Sequence, residues 1–455
     1  MTKKTVLIFL SLFVLTHSYG QTDQQFNKSI DSLIAAKLSK ISPGCAVLIS
    51  RDDNIVYRKA FGIADLELNV PMQPGMVFRI GSLTKQFTAV ATLQLIEKGK
   101  ISLSDSIQKF ITDFPAQGYT ITIENLLTQT SGIPDYLNLE FNVPNPFRID
   151  FPVTQIIDSL KKLPLEFAPS SKFAYSNSNY FLLGYIIEKV SGQTYAEYLR
   201  QNIFIPAGLT HTYYDNPFQI IPNRVKGYEI EDRKYRNADF ISMSSFYSAG
   251  ALMANTEDLY KWIKALLNYQ IIKKETIDKA FQPYKLTDGK LSEYGYGWFV
   301  RTLEGSKTIE HGGNIFGFRA EEIYLPREKL FVTGLFNCRQ RNNDEQELCY
   351  DIARIALGKP LNREVAPDEK MLADYVGAYE LKGNKSRKII VTKEGNGLVI
   401  SSGGQGTRQI VFQSERKFSI KGVAATGEFI REGGMITKMI IQQNGEYIWN
   451  KISDR

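Results

Sequence analysis

The 455-residue chain has few of the side chains that form disulfides or hold metals: three cysteines and three histidines. Cys45, Cys338 and Cys349 are too few for a disulfide framework. We expect buried free thiols, with a Cys338–Cys349 bridge as the alternative. Only two histidines follow residue 20, and no cysteine pair has the spacing of a zinc site. The sequence therefore predicts neither a metal nor another cofactor.

The chain also lacks a strong charge bias and long apolar runs. Its 55 Lys and Arg against 48 Asp and Glu give a net charge of +7 without a basic cluster, which argues against a nucleic-acid partner. No apolar run reaches the length of about 18 residues that a membrane-spanning helix needs. The sequence carries no signal for an oligomeric state.

The first twenty residues have the pattern of a cleavable signal peptide. Lys3 and Lys4 precede the apolar run Val6–Leu15, and small residues follow before Gln21. We expect cleavage before Gln21. No cysteine stands there to carry a lipid, so the mature protein is predicted to be periplasmic or secreted, without a membrane span.

The pattern after residue 20 changes once along the chain. Helical spacing and strand-like runs are mixed as far as residue 360, proline and charged residues follow at 361–373, and only short strands remain over 374–455. Predicted helices are Gln24–Lys40, Thr84–Lys98, Tyr180–Val190, Glu257–Leu267 and Glu345–Leu357. Predicted strands include Cys45–Ser50, Asn54–Gly62, Glu310–Tyr324 and Leu330–Asn337. We therefore predict an α/β domain at 21–360, a linker at 361–373 and a small antiparallel barrel or sandwich of eight strands at 374–455.

One candidate for chemistry is Ser82 with Lys85, at the start of the helix predicted over Thr84–Lys98. A residue pair at this spacing shares one helix face, and a desolvated lysine can act as the base for a serine nucleophile. The spacing alone is weak evidence, because Ser-x-x-Lys also occurs at Ser106, Ser159 and Ser414. Taken alone, Ser82 is more simply a helix cap and Lys85 a surface charge.

Two further clusters could share the same cleft. Tyr175 and Asn177 lie on the same side of an extended segment, because every second residue of an extended chain faces the same way. A phenol whose pKa is lowered by a lysine could relay protons there, and an amide could bind a substrate carbonyl. His311-Gly312-Gly313-Asn314 begins a strand, and its glycines would let a substrate backbone approach closely. Each cluster alone also fits ordinary packing.

Together and in this order, these clusters resemble the serine β-lactamase-like and penicillin-binding superfamily, which includes class C β-lactamases, D-Ala-D-Ala carboxypeptidases, D-aminopeptidases and esterases. The resemblance runs from about Gly44 to Lys359 and includes the blocks Gly81–Ala89, Ile123–Gly132, Ala249–Leu252 and Tyr294–Trp298. It implies an antiparallel sheet flanked by helices, with an all-helical insert beside the cleft. The barrel resembles the lipocalin-like domains appended to some relatives.

The resemblance also implies roles for the residues. Ser82 would be the acylated nucleophile, Lys85 and Tyr175 would share the role of general base, and Asn177 would position the substrate. The backbone N–H groups of Ser82 and Asn314 would form the oxyanion hole.

One departure from the family pattern bears on the substrate. β-Lactamases and carboxypeptidases usually carry Lys-Thr-Gly where this chain has His311-Gly312-Gly313. A histidine is only partly charged near neutral pH, so it would bind a substrate carboxylate less strongly than a lysine would. We therefore expect an exported serine hydrolase acting on an amide or ester of a small molecule or peptide. The alternatives are a β-lactamase, a D-Ala-D-Ala carboxypeptidase, or a catalytically silent protein that binds penicillin or peptidoglycan peptides.

Overall fold

The computed structural model describes residues 24–115, 117–139, 145–232, 234–339, 344–361, 369–402, 405–421, 423, 425–442 and 446–453. The predicted signal peptide and its cleavage site lie outside this part of the chain. Two compact units are present, one up to Lys359 and one from Pro360.

The first unit mixes helices and strands, as its sequence pattern predicts. Helix α1 covers residues 24–37. The other helices are α2 Thr84–Glu97, α3 Ile123–Leu127, α4 Val153–Leu160, α5 Asn177–Ser191, α6 Tyr195–Leu199, α7 Tyr247–Gly250, α8 Thr256–Leu267, α9 Lys274–Ala280 and α10 Asp344–Ala356. The strands are β1 Cys45–Arg51, β2 Asn54–Phe61, β3 Ile63–Asp65, β4 Val70–Pro71, β5 Phe78–Arg79, β6 Tyr213–Tyr214, β7 Tyr228–Glu231, β8 Lys234–Asn237, β9 Leu252–Ala254, β10 Phe299–Leu303, β11 Ser306–Ile315, β12 Phe318–Leu325, β13 Leu330–Phe336 and β14 Cys338–Arg339.

A six-stranded antiparallel sheet organises this unit, in the order β10-β11-β12-β13-β1-β2. Strands β1 and β13 are both interior strands and are apolar at nearly every position, because both faces of the sheet are covered. On one face, α1 and α10 close a core around Ile30, Val47 and Ile352. On the other, α2 and α8 bury Phe87 and Trp262 in the larger core. The fold is thus the predicted sheet between helices.

The prediction of one strand over Glu310–Tyr324 is wrong. This stretch contains most of β11 and β12, which pair as an antiparallel hairpin. Its turn is short, and Gly317 occupies the left-handed region at φ +75°. The sequence pattern did not indicate this turn, because apolar residues stand on both sides of it.

Helix α2 places the candidate nucleophile. Its residues Thr84–Leu95 are all buried, so it is a central helix without a solvent face. It packs against α5, whose residues from Ser178 to Ile187 are also largely buried. Because both helices are buried on nearly every side, they fix the positions of the residues at their N-termini.

The second unit is a closed antiparallel barrel of eight strands. All eight predicted strands are present, as β15 Gly377–Leu381, β16 Asn384–Glu394, β17 Gly397–Ser402, β18 Gln405–Phe412, β19 Lys417–Ile420, β20 Thr426–Glu432, β21 Met435–Gln442 and β22 Glu446–Ser453. Aromatic rings fill the interior, with Tyr375 stacked on Phe429 at 4.5 Å. Tyr375 belongs to helix α11, Glu369–Tyr375, which occupies the last part of the range predicted as a linker.

Two smaller expectations concern the rest of the chain. Cys45, Cys338 and Cys349 are all buried thiols, and no disulfide joins Cys338 to Cys349. In the described ranges, no helix is long and apolar enough to cross a membrane.

Candidate active site

Ser82 lies in a single 3-10 turn, Gly81–Leu83, between β5 and α2. Gly81 adopts φ +52°, and a Cβ at this position would stand 3.0 Å from the backbone nitrogen of Asn314. A glycine is therefore needed both for the left-handed backbone and for the close approach of β11. Ser82 itself is only partly buried, so its hydroxyl is open to a substrate.

Lys85 lies one turn further along and is completely buried. Its Nζ atom donates hydrogen bonds to Ser82 Oγ at 3.0 Å, to Asn177 Oδ1 at 2.8 Å and to the Ala249 carbonyl at 2.8 Å. The alternative of a surface lysine is wrong, since Lys85 has no exposed surface. All three acceptors are uncharged, so none of them forms an ion pair with the ammonium, and no ion pair of Lys85 is present among the described residues.

Burial without an ion pair changes the acidity of Lys85. Desolvation lowers the pKa of its ammonium to about 7, while the charge of Asp135 partly opposes this effect. A substantial fraction of Lys85 is thus neutral near neutral pH. A neutral amine within hydrogen-bonding distance of a serine hydroxyl can accept its proton.

Tyr175 lies on the other side of Ser82. Its ring centre is 4.8 Å from Lys85 Nζ, and the Ser82 side chain is close enough to act on its pKa. Burial raises the pKa of Tyr175 far above its usual value. The expectation of a lowered pKa is wrong, because desolvation of the phenolate is the largest effect and the charge of Asp135 adds to it, while Ser82 opposes them only in part.

Asn177 is the first residue of α5, and its side-chain amide connects two groups. Its Oδ1 accepts from Lys85, and its Nδ2 donates to Asp135 Oδ2 at 2.8 Å. Asp135 also accepts from the backbone of Leu137 at 3.0 Å, as the cap of a short 3-10 turn. Sequence reasoning missed Asp135, since Pro134-Asp135 has the pattern of an ordinary turn cap and its contact with Asn177 joins distant segments.

His311 is buried beside this group, and its hydrogen bonds fix its protonation. Its Nδ1 lies 2.7 Å from the Gly312 carbonyl, which can only accept, so Nδ1 carries the proton. Its Nε2 then accepts from the hydroxyl of Tyr294 at 3.1 Å. Burial, and next the nearby charge of Lys85, lower the pKa of His311 to about 3. The expectation of a partly charged histidine is wrong: the imidazole is neutral near pH 7. Tyr294 was missed as its partner.

Gly313 and Asn314 bring β11 against the turn that holds Ser82. A Cβ on Gly313 would lie 1.9 Å from the carbonyl oxygen of Ile80, so this position admits only glycine. The pairing of β10 with β11 ends at Glu310, and the strand continues along the cleft through Ile315. The structure thus places every predicted site residue except Gly312 near Ser82. A Cβ on Gly312 would instead face the Glu321 carboxylate on the opposite side of the sheet.

The site contains no obvious cation ligands. In the part of the chain that the structure describes, no group of three histidine, cysteine or acidic side chains could hold a metal ion. The polar groups around Ser82 are instead a lysine, a phenol, an amide, a neutral imidazole and backbone N–H groups. These groups suit proton transfer and the binding of a carbonyl oxygen.

Comparisons with known proteins agree with this geometry. A family profile described as Beta-lactamase matches residues 30–357. Penicillin-binding protein 4* of Bacillus subtilis (strain 168) is 28% identical over 452 residues, which cover 93% of this chain and 98% of the relative.

Solved structures resemble the chain over one or both units. The octameric penicillin-binding protein homologue from Pyrococcus abyssi is 25% identical, with a TM-score of 0.66 over 94% of this chain and 99% of the other. The D-amino acid amidase from Ochrobactrum anthropi SV3 shares the fold at 19% identity, with a TM-score of 0.64 over 73% of this chain and 99% of the other. With its profile match spanning most of the first unit, the chain belongs to the Beta-lactamase family of serine β-lactamase-like and penicillin-binding proteins.

Proposed function

We propose that this protein is a serine hydrolase that forms an acyl-enzyme on Ser82 with an amide or ester substrate. The observation that carries the proposal is the 3.0 Å hydrogen bond between Lys85 Nζ and Ser82 Oγ, combined with burial that lowers the pKa of Lys85 to about 7. Burial favours the neutral form of any lysine, but only a general base needs a neutral amine within hydrogen-bonding distance of a nucleophile.

In the proposed reaction, neutral Lys85 accepts the proton of Ser82 as Oγ attacks the substrate carbonyl. The backbone N–H groups of Ser82 and Asn314 stabilise the negative oxygen that develops. Tyr175 has a raised pKa, so it is a protonated phenol that can relay the proton to the leaving group. The same groups then activate a water molecule, which releases the acid and restores Ser82.

The second N–H of the Asn177 amide remains available for the substrate. Its first N–H is held by Asp135 and its oxygen by Lys85. The amide therefore cannot rotate without breaking two hydrogen bonds. This arrangement supports a role for Asn177 in orienting the substrate.

The substrate class follows from His311. A permanent ammonium at this position would form an ion pair with a substrate carboxylate. The neutral His311 imidazole offers neither a charge nor a free N–H, because its Nδ1–H is bonded to the Gly312 carbonyl and its Nε2 accepts from Tyr294. The proposal is thus an esterase or amidase that prefers uncharged substrates. The alternatives of a β-lactamase and a D-Ala-D-Ala carboxypeptidase need a carboxylate-binding group, and a silent binding protein needs no neutral lysine.

We further propose that the protein works outside the cytoplasm. Residues 1–20 have the charge and apolar pattern of a signal peptide, with the mature chain beginning at Gln21. Mass measurement of the N-terminus of the protein from periplasmic or secreted fractions tests this proposal. An intact Met1 in those fractions would contradict it.

The test of the activity is covalent labelling. A fluorophosphonate probe should add one adduct to the intact protein, and Ser82→Ala should abolish the adduct while leaving thermal unfolding nearly unchanged. The matched controls are Ser106→Ala, Ser159→Ala and Ser414→Ala, which share the Ser-x-x-Lys spacing and should label normally. Full labelling of Ser82→Ala would contradict the assignment.

A further inference from the structure

Two groups of aromatic rings lie along β11, one at each side of the candidate nucleophile. The first, here called the base-side cluster, consists of Phe173, Tyr175, Tyr294 and Phe299. Tyr294 and Phe299 are 4.8 Å apart, and Phe299 stacks parallel to Tyr175 at 6.2 Å. This cluster includes the proposed proton relay.

The second group, here called the tip-side cluster, consists of Phe147, Phe246 and Phe316. Their ring centres are separated by 5.9, 6.0 and 6.3 Å, so each ring contacts both others. They come from three separate segments: a 3-10 turn, the approach to α7 and the turn after β11. Phe147 and Phe316 are partly exposed. The cluster therefore presents an apolar surface to solvent.

The tip-side cluster lies next to the turn that holds Ser82. A Cβ on Gly250 would stand 3.4 Å from Phe246 Cβ and 3.9 Å from the carbonyl carbon of Gly81. The glycine thus leaves the space between the phenyl ring and the nucleophile turn free of a side chain. Any side chain at this position would narrow that space.

The order of residues along β11 puts the two clusters on opposite sides of the oxyanion position. His311 contacts the base-side cluster, with its ring 5.3 Å from Phe299 and 6.0 Å from Tyr175. Asn314 follows three residues later, and Phe316 follows Asn314. An extended strand advances about 3.3 Å per residue. The rings of Phe316 and His311 are therefore separated by the position where the carbonyl oxygen would bind.

This order distinguishes the two halves of a substrate. The leaving group must depart toward the groups that give it a proton, which are Lys85 and Tyr175 on the base side. The acyl group then projects the other way, toward the tip. We propose that the tip-side cluster is the acyl-binding subsite and that the enzyme selects esters or amides of uncharged aromatic or branched apolar acids. This inference rests on the proposed hydrolase activity.

The reaction with such a substrate balances without another reactant. Ser82 Oγ forms a bond to the carbonyl carbon, the bond to the leaving oxygen or nitrogen breaks, and the serine proton passes through Lys85 and Tyr175 to that atom. Water then cleaves the ester on Ser82. Throughout these steps an apolar acyl group stays packed on phenyl rings, where a carboxylate would lose hydration without gaining a partner.

The test compares two esters with the same leaving group, p-nitrophenyl acetate and p-nitrophenyl phenylacetate. The unmodified enzyme should favour phenylacetate in kcat/KM by about tenfold or more, the range seen for small apolar increments in a matching pocket. Phe316→Ala and Phe147→Ala should each reduce this ratio several-fold, mainly by lowering kcat/KM for the phenylacetate ester. Phe316→Leu, which keeps an apolar side chain, should retain much of it.

Phe173→Ala is the matched control, since it removes a partly exposed ring from the base-side cluster. It should leave the phenylacetate-to-acetate ratio unchanged. Unchanged ratios in both Phe316→Ala and Phe147→Ala, with hydrolysis intact, would overturn the inference. If one of these variants fails to fold, the ratio in the other decides. An unmodified enzyme that takes no label at Ser82 and cleaves neither ester would instead refute the proposed function.

Discussion

Replacing Asp135 with Asn tests how the site sets the acidity of its base. Asp135 and Lys85 are joined through the Asn177 amide by two hydrogen bonds of 2.8 Å each. The carboxylate stabilises the ammonium and thus opposes the effect of burial. Removing its charge should therefore lower the pKa of Lys85 below about 7 and make the lysine neutral at lower pH.

The size of the effect follows from the distance. Two such hydrogen bonds and the width of an amide place the charges about 7 Å apart, where an effective dielectric constant of about 20 gives an interaction of about 2 kcal/mol. At 1.36 kcal/mol for each pH unit, the pKa of Lys85 should fall by about 1.5 pH units. At pH 6, the neutral fraction should then rise from about one in eleven to about three in four.

The assay is the pseudo-first-order rate of Ser82 labelling by excess fluorophosphonate between pH 4.5 and 9, followed by intact mass. The midpoint of the acid limb should move down by about 1.5 pH units in Asp135→Asn. The plateau rate of Asp135→Asn should be lower, because the Asn177 amide loses its hydrogen bond to a carboxylate. The matched control is Asp113→Asn, which removes a surface carboxylate bonded to Lys161, and its midpoint should not move. An unchanged or raised midpoint in Asp135→Asn would refute this account of Lys85.

Three further predictions concern other parts of the site. Gly313→Ala should lower kcat by about 100-fold or more, since its Cβ would lie 1.9 Å from the Ile80 carbonyl and push β11 away from the oxyanion position. The control Gly75→Ala should keep normal activity, because its Cβ would meet only a flexible arginine at 3.8 Å. Equal activities of the two variants would contradict this prediction. Lys85→Met should raise the free energy of unfolding by about 2 kcal/mol at pH 6, because the folded state no longer buries an ammonium. The pKa of Lys85 is lower in the folded protein than its usual value, so the free energy of unfolding of the unmodified protein rises with pH above about 7. The extra free energy of unfolding in Lys85→Met, measured by urea titration, should therefore shrink toward pH 10. A difference between the two proteins that does not depend on pH would contradict this prediction. His311→Lys should shift kcat/KM from esters toward nitrocefin and D-Ala-D-Ala peptides, and faster nitrocefin turnover than ester turnover by the unmodified enzyme would refute the interpretation of His311.

Much of the fold was predictable because its signals are local. All eight barrel strands are separated by turn residues, and each prediction overlaps an observed strand. Helix α2 and strand β1 were identified from their apolar residues. The β11–β12 turn was not, because Phe316 and Phe318 flank Gly317 and make the hairpin resemble one long strand. Helix α11 was missed because the charges near Glu369 have the composition of a linker.

The candidate site was predictable in its membership but only in part in its chemistry. Ser82, Lys85, Tyr175, Asn177 and His311 stand in sequence blocks that resemble one family. The pKa direction of Tyr175 was wrong, however, and the lowered pKa of His311 was not predicted, because both depend on burial. Burial is produced by residues from other segments and has no signature in a short motif.

The sequence by itself determined the residue types available for chemistry, the order of the motifs and the period of each helix and strand. These properties depend on neighbours in the chain. Only the tertiary structure decided that Asp135 and Tyr294 would hold the Asn177 amide and the His311 imidazole. It also decided that Lys85 would be buried among uncharged acceptors. The reason is that hydration and hydrogen-bond partners are set by segments far apart in sequence, and these set which groups carry a proton at neutral pH.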